Sequence, residues 1–163
     1  GYILIGMQRD GGFSMKTLSP LAWLADKIQE IRKYTTREIV IRPHPGKFDM
    51  ADFAKFQSKE YVRQHVRVIN PEQSTLLENL QLAYAAVFFN SSASVAAVLE
   101  GVPVWVDDAS AVTWTVAHHD MSTIETPLQF STDQWIHDLA AAHWSDQDGK
   151  TGLIYQKFLP YLK

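Results

Sequence analysis

Three short stretches of this chain combine residue types that suit an anionic ligand: QRDGGFSMK from Gln8, RPHPGK from Arg42 and NSSAS from Asn90. In the first, Arg9 offers a planar fork of donors that matches phosphate oxygens. Gly11 and Gly12 let the backbone beside it take positive φ and approach a ligand closely. In the second, Arg42 and His44 stand two apart, so an extended backbone turns both to one side, and the two prolines stiffen the exit. A histidine so presented can donate to phosphate or act as acid or base. In the third, Asn90, Ser91, Ser92 and Ser94 open a helical pattern, and the first amides of a helix have no intrahelical partner and favour an anion. Each stretch also has a plain reading: a flexible turn with a surface arginine, a structural histidine, or a loop that merely turns the chain.

These stretches matter because of what precedes them. Apolar runs at Tyr2–Met7, Glu38–Arg42, Val66–Ile69, Ala85–Phe89 and Val102–Val106 are continuous rather than alternating, which predicts strands buried on both faces of a parallel sheet. Segments of helical period separate them. Pro20–Tyr34 carries Leu21, Leu24, Ile28 and Ile31 on one stripe, with Ser19 placed to cap it; Ser74–Ala83 and Ser92–Glu100 follow, the last stopped by Gly101. The alternation predicts a doubly wound α/β domain. In such a sheet ligands bind beyond the carboxyl ends of the strands, which is where all three stretches fall. The third strand leads into NPEQS, where Glu72 and Gln73 can reach a polar ligand and Ser74 can cap the next helix. Thr132–His143 and Gly152–Leu162 read as further amphipathic helices that close over the sheet or dock on something else.

Composition narrows the function classes. A chain of 163 residues, 46% hydrophobic and 20% charged, suits one globular domain, with no apolar run long enough for a membrane span. It has no cysteine, which excludes disulfides and thiol chemistry and fits a reducing cytoplasm. It opens on Gly1 and enters a strand at once, which reads as a piece of a longer protein. Residues 1–67 hold 12 Lys and Arg against 7 Asp and Glu, and the remainder 3 against 11, which predicts a positive mouth near the early loops. Asp107 and Asp108 lack a companion ligand for a metal, and His118 and His119 are adjacent, so their side chains diverge. No GxSxG elbow accompanies the serines, and no groove-reading motif speaks for direct DNA binding.

Taken in order, QRDGGFSMK, RPHPG and NPEQSTLLENLQLAYAAVFFNSSASVAAVLEGVPVWV resemble the donor-binding C-terminal half of GT-B glycosyltransferases, and most of all the glycosyltransferases encoded by tailed phages. The resemblance covers about residues 2–112. It implies a Rossmann-like parallel sheet of about five strands with flanking helices, one half of a GT-B fold, over residues 1–163, with C-terminal helices from about residue 113. It implies a nucleotide diphosphate sugar as donor, a UDP-sugar foremost, and no essential metal or other cofactor. By position, Ser91, Ser92 and Ser94 would cradle the diphosphate, Arg9 and Arg42 would offset its charge, His44 would touch phosphate or sugar, and Asn70 to Ser74 would face the base. Arg9 and His44 are the candidates for a catalytic role. The acceptor, a polysaccharide or a nucleic-acid base such as that of hydroxymethylated DNA, would come through an N-terminal domain outside these residues; a phage-encoded enzyme would work in the host cytoplasm. The sequence departs from the family where many members carry a ribose-binding glutamate: Ala96 stands there, and Glu100 lies one turn on. A non-catalytic nucleotide-binding or assembly module is the alternative; a sugar-nucleotide epimerase, which shares the fold, needs carboxylates placed across two domains, and the sequence shows no such arrangement.

Overall fold

The structure, a computed structural model, describes residues 1–9, 15, 18–46, 50–60 and 66–161. Strands β1 (Tyr2–Gly6), β2 (Ile39–Arg42), β3 (Val66–Val68), β4 (Ala83–Phe88) and β5 (Val104–Val106) form one sheet in the order β3-β2-β1-β4-β5. Every neighbouring pair is parallel, and β1 at the centre is buried throughout, as the continuous apolar runs predict. The intervening helices are α1 (Pro20–Ile31), α2 (Met50–Gln57), α3 (Leu76–Gln81) and α4 (Ala93–Leu99). The domain is therefore α/β and Rossmann-like.

Successive side chains of a strand point to opposite faces. Ile3, Ile5, Ile39, Ile41, Ala85 and Val87 meet Trp23, Leu24, Ile28 and Ile31 of α1 and Phe53 and Phe56 of α2 in one buried cluster. Each such aliphatic side chain contributes roughly 1.5–3 kcal/mol by leaving water, so packing rather than intrinsic propensity holds α1 in place. Leu4, Val40, Ala86, Phe88 and Val104 are buried on the opposite face, where α3 and α4 touch β4 and each other. Right-handed crossovers produce this division: the chain winds outward from β1 to β3, then returns past β1 to β4 and winds the other way.

Where element ends differ from the sequence reading, a local bond explains the difference. Ser19 sits at the start of α1 with extended backbone, but its side chain makes no cap bond; Pro20 follows at the first helical position, so one of the amides without an intrahelical partner does not exist. The cap of α3 is Thr75, not Ser74. Its hydroxyl accepts from the Glu78 amide while the Glu78 carboxylate accepts from the Thr75 amide. α4 ends in a Schellman motif, with Val102 N–H bonded to Ala97 O at 2.9 Å, Gly101 N–H to Val98 O at 3.0 Å, and Gly101 at φ 71°. Pro103 has no amide to donate, and β5 starts only at Val104.

After β5 the chain makes two 3-10 turns, Trp114–Val116 and Met121–Thr123, and the next α-helix begins at Asp133 rather than near residue 113. This segment is tied back to the sheet. Asp107 accepts from Trp23 Nε1 at 2.6 Å and from Lys27 Nζ at 2.8 Å, so the end of β5 supplies a second carboxylate, beside Glu30, for a lysine that is only 7% exposed. His118 forms a parallel bridge with Trp105, stacks on its indole at 4.2 Å between centroids, and meets the edge of Phe130.

The chain divides into two compact units, residues 1–130 and 131–163. The second contains α5 (Asp133–Ala142), α6 (Asp146–Lys150) and α7 (Leu153–Phe158), which passes into a 3-10 turn across Pro160. α6 is started by a capping box between Ser145 and Asp148. Among the described residues no helix is long and apolar enough to cross a membrane.

His118 gives the fold a pH dependence of definite sign. It is 5% exposed and its Nε2 has no hydrogen-bond partner among the described residues; burial pushes the imidazole below its ordinary range, against a bond to the Leu128 backbone that acts the other way. Below about pH 6.5 the unfolded chain therefore takes up a proton that the native state refuses, so stability falls as pH drops through that window and is constant above it. Urea unfolding at pH 7 and pH 5 should show this loss, and His118→Asn should reduce the difference; an unchanged difference in the variant would contradict the assignment.

Candidate functional site

β1 lies between β2 and β4, so the chain reverses its winding direction beside it, and a crevice opens there beyond the strand ends. A cleft of about 370 Å³ occupies the place. Gly6, Met7 and Phe88 form its floor, Arg42, Pro43, His44 and Pro45 one wall, and Leu76, Ser91, Ser92, Ala93 and Ala96 the other. Gly6 and Phe88 are register partners on adjacent strands. A Cβ at Gly6 would lie 2.3 Å from Phe88 Cε1, so only glycine lets the fully buried phenyl ring lie across the end of β1.

A second cavity, of about 460 Å³, adjoins the first and shares Pro43, His44 and Pro45 with it. Phe53, Val68, Ile69 and Pro71 give it apolar walls, and Gln57, Asn70 and Glu72 add polar groups. Asn70 Oδ1 accepts from the Glu72 amide at 3.0 Å, and Asn70 O accepts from the Gln73 amide, which fixes the turn after β3 and holds Glu72 at the cavity. The RPHP segment is thus a rib between two cavities. Its prolines leave few backbone donors on that rib.

His44 and Arg9 come from different loops and converge. The Gly46 amide donates to His44 Nδ1 at 2.9 Å, so Nε2 is the ring's donor in the neutral form. A Cβ placed on Gly46 would lie 3.0 Å from that Nδ1 and 3.3 Å from Arg9 Cδ. Gly46 therefore lets the two basic side chains, one exposed and one half-buried, meet over its Cα. The proximity is not visible in the sequence, where 35 positions separate them; the signal was the glycine after HP, a place for close approach.

Arg42 has a different job from the one its type suggests. Its guanidinium donates to Ser74 O at 2.9 Å, Asn79 Oδ1 at 2.5 Å and Pro71 O at 3.4 Å, which anchors the 71–79 segment against β2. Ser74 pairs through its hydroxyl with Asn79 as well. The positive mouth expected from charge counting is also narrowed, because Arg37 pairs with Glu125, Arg67 with Glu38 and Lys27 with Asp107.

The serine stretch needs the largest correction. Its amides are not bare: Ala93 N–H donates to Ser91 Oγ, Ser94 N–H to Ser91 O and Val95 N–H to Ser92 O. The chain enters α4 through tight i,i+3 bonds, which use the Ser94 and Val95 amides. Ser94 is fully buried, giving its hydroxyl proton to Ser91 O and accepting from Thr113, so it cannot touch a ligand. Asn90 cross-ties three loops instead, accepting from Gln8 Nε2 at 2.6 Å and donating to Ser110 Oγ at 2.9 Å. Ser91 and Ser92 line the cleft, and Ser92 is exposed. Ala96 lines the same wall without a carboxylate, while Glu100 caps the far end of α4. Gly11 and Gly12 lie outside the described residues. Asp107 is bound to Trp23 and Lys27, and His118 and His119 stack on different tryptophans, Trp105 and Trp114.

Gly6→Ala tests the floor of the cleft. Displacing a buried ring from a filled interior costs about 1–3 kcal/mol, so the variant should unfold at correspondingly lower denaturant, and unchanged stability would show that Phe88 can move away without penalty. No protein-family model matches the chain, and no curated protein and no solved structure matches it.

Proposed function

We propose that residues 1–130 bind the nucleoside diphosphate part of an activated sugar, a UDP-sugar foremost, as the donor half of a GT-B-type glycosyltransferase. The observation that carries this reading is the convergence of Arg9 and His44 at Gly46, beside a cleft at the point where the sheet reverses its winding. The order of the three sequence stretches supports the same class of ligand. Two adjoining cavities, one with serine hydroxyls and one with apolar walls and a carboxylate, suit a ligand with a charged part and a flatter, less polar part. Since Ala96 offers no acceptor for a ribose diol, Glu72 is the carboxylate placed to take that part.

In this reading the sugar's anomeric carbon–oxygen bond to the diphosphate breaks as a bond forms to an acceptor hydroxyl. The negative charge that develops on the leaving diphosphate is met by the Arg9 guanidinium and by Nε2–H of His44, whose ring the Gly46 amide holds before the reaction begins. The acceptor, a polysaccharide or a hydroxymethylated base, and the base that takes its proton come from outside these residues.

A binding-only module is the second reading, and one observation favours it: Arg42, Asn90 and Ser94, three of the polar groups expected at the ligand, are engaged within the protein. Turnover of a nucleotide sugar by the chain, with any added acceptor, would eliminate it.

Calorimetric titration with UDP-, CDP- and GDP-sugars tests the reading directly. Submillimolar binding of one nucleotide class is expected, weakened about tenfold by Arg9→Ala, the scale of one charge-assisted hydrogen bond. Gly46→Ala, at an exposed position, should change stability by no more than about 0.5 kcal/mol. It should still weaken binding, because its methyl group displaces His44 and Arg9. Absence of binding at millimolar ligand, or wild-type affinity in both variants, would overturn the proposal.

A further inference from the structure

The segment that follows β5 does more than cover the sheet edge. It is bonded at three points to residues 89–94, the stretch whose Ser91, Ser92 and Ala93 line the cleft. The amides of Asp107 and Asp108 both donate to Phe89 O at 3.1 Å, Ser110 Oγ accepts from Asn90 Nδ2, and Thr113 Oγ1 donates to Ser94 Oγ at 2.9 Å. The third contact is a relay. The Ser94 hydroxyl in turn donates a hydrogen bond to Ser91 O at 2.7 Å, and the Ser94 amide donates to the same carbonyl at 3.0 Å. Ser91 lines the cleft, whereas Thr113 and Ser94 are both fully buried and touch no part of it.

A buried hydroxyl pair needs a reason, because two apolar side chains of similar volume would fill the space without any hydrogen-bond requirement. The pair has directional content that methyl groups lack. It fixes which way the Ser91 carbonyl points, and so the direction of the turn from Ser91 to Ala93. We infer that Thr113 is a positioning residue for the cleft, acting through Ser94 to hold the Ser91–Ala93 turn in its binding geometry. The inference rests on the nucleotide reading only for what the turn is positioned to bind; the relay itself is a property of the fold.

Amide hydrogen exchange on wild type, Thr113→Val and Thr113→Ser decides it, with uridine diphosphate as the binding probe. Thr113→Val keeps shape and removes the donor. Exchange at Ser94 should rise about tenfold, the scale of one neutral hydrogen bond, while the Ile5 amide in the central strand keeps its wild-type rate. Thr113→Ser should restore slow exchange. Affinity for uridine diphosphate should fall several-fold in the valine variant and recover in the serine variant. Wild-type exchange at Ser94 in Thr113→Val, or a rise shared equally by Ser94 and Ile5, would overturn the positioning role. If wild type fails to bind uridine diphosphate, the nucleotide reading fails, and the exchange measurement still decides whether Thr113 holds the turn. Should Thr113→Val not fold, Ser94→Ala makes the same measurement from the other end of the relay.

Discussion

A pair of residues at the centre of the sheet sets the terms for everything above it. Gly6 ends β1 and Phe88 ends β4, directly across from it, and the phenyl ring occupies the space a Cβ would need. That ring is fully buried and closes the floor of the cleft. With a larger residue at position 6 the ring would have to shift. One missing methyl group thus couples the core packing of the sheet to the shape of the space where ligands of such folds bind.

Around that floor the molecule uses its polar side chains mainly to hold loops in place. Arg42 fastens the loop after β3, Asn90 joins the ends of β1 and β4 to the loop after β5, and Asp107 fastens β5 to α1. All but the Asn90–Ser110 bond are made in partly buried places, where an unpaired group is costly, so these bonds restrict the arrangements open to the loops. Among the described residues, Arg9, His44, Ser91, Ser92 and Glu72 stand at the cleft, its rim or the neighbouring cavity.

The sheet was legible in the sequence because burial on both faces leaves a local trace: runs such as YILIGM and AAVFF have no polar alternation. Helix ends were legible only to within a cap. Ser74 and Thr75 are both competent caps, and the choice of Thr75 depends on Glu78 three residues on. The site was less legible, for a physical reason. Arginine and serine advertise phosphate binding by type, but their use is decided by partners far along the chain. Asn79 claims Arg42 across 37 residues, and Thr113 claims Ser94 across 19. Proximity of Arg9 and His44 depends on two loops meeting over Gly46, which no spacing rule anticipates.

The central claim is that the crevice beside β1 holds a nucleoside diphosphate between the Arg9–His44 pair and the Ser91–Ser92 turn. A crystal structure of the chain soaked with uridine diphosphate measures this most directly. Phosphate oxygens within hydrogen-bond distance of Arg9 and His44 Nε2, with the nucleoside in the cavity beside Phe53 and Glu72, are the expected result. A diphosphate bound on another surface, or one in the cleft that touches neither Arg9 nor His44, would contradict it.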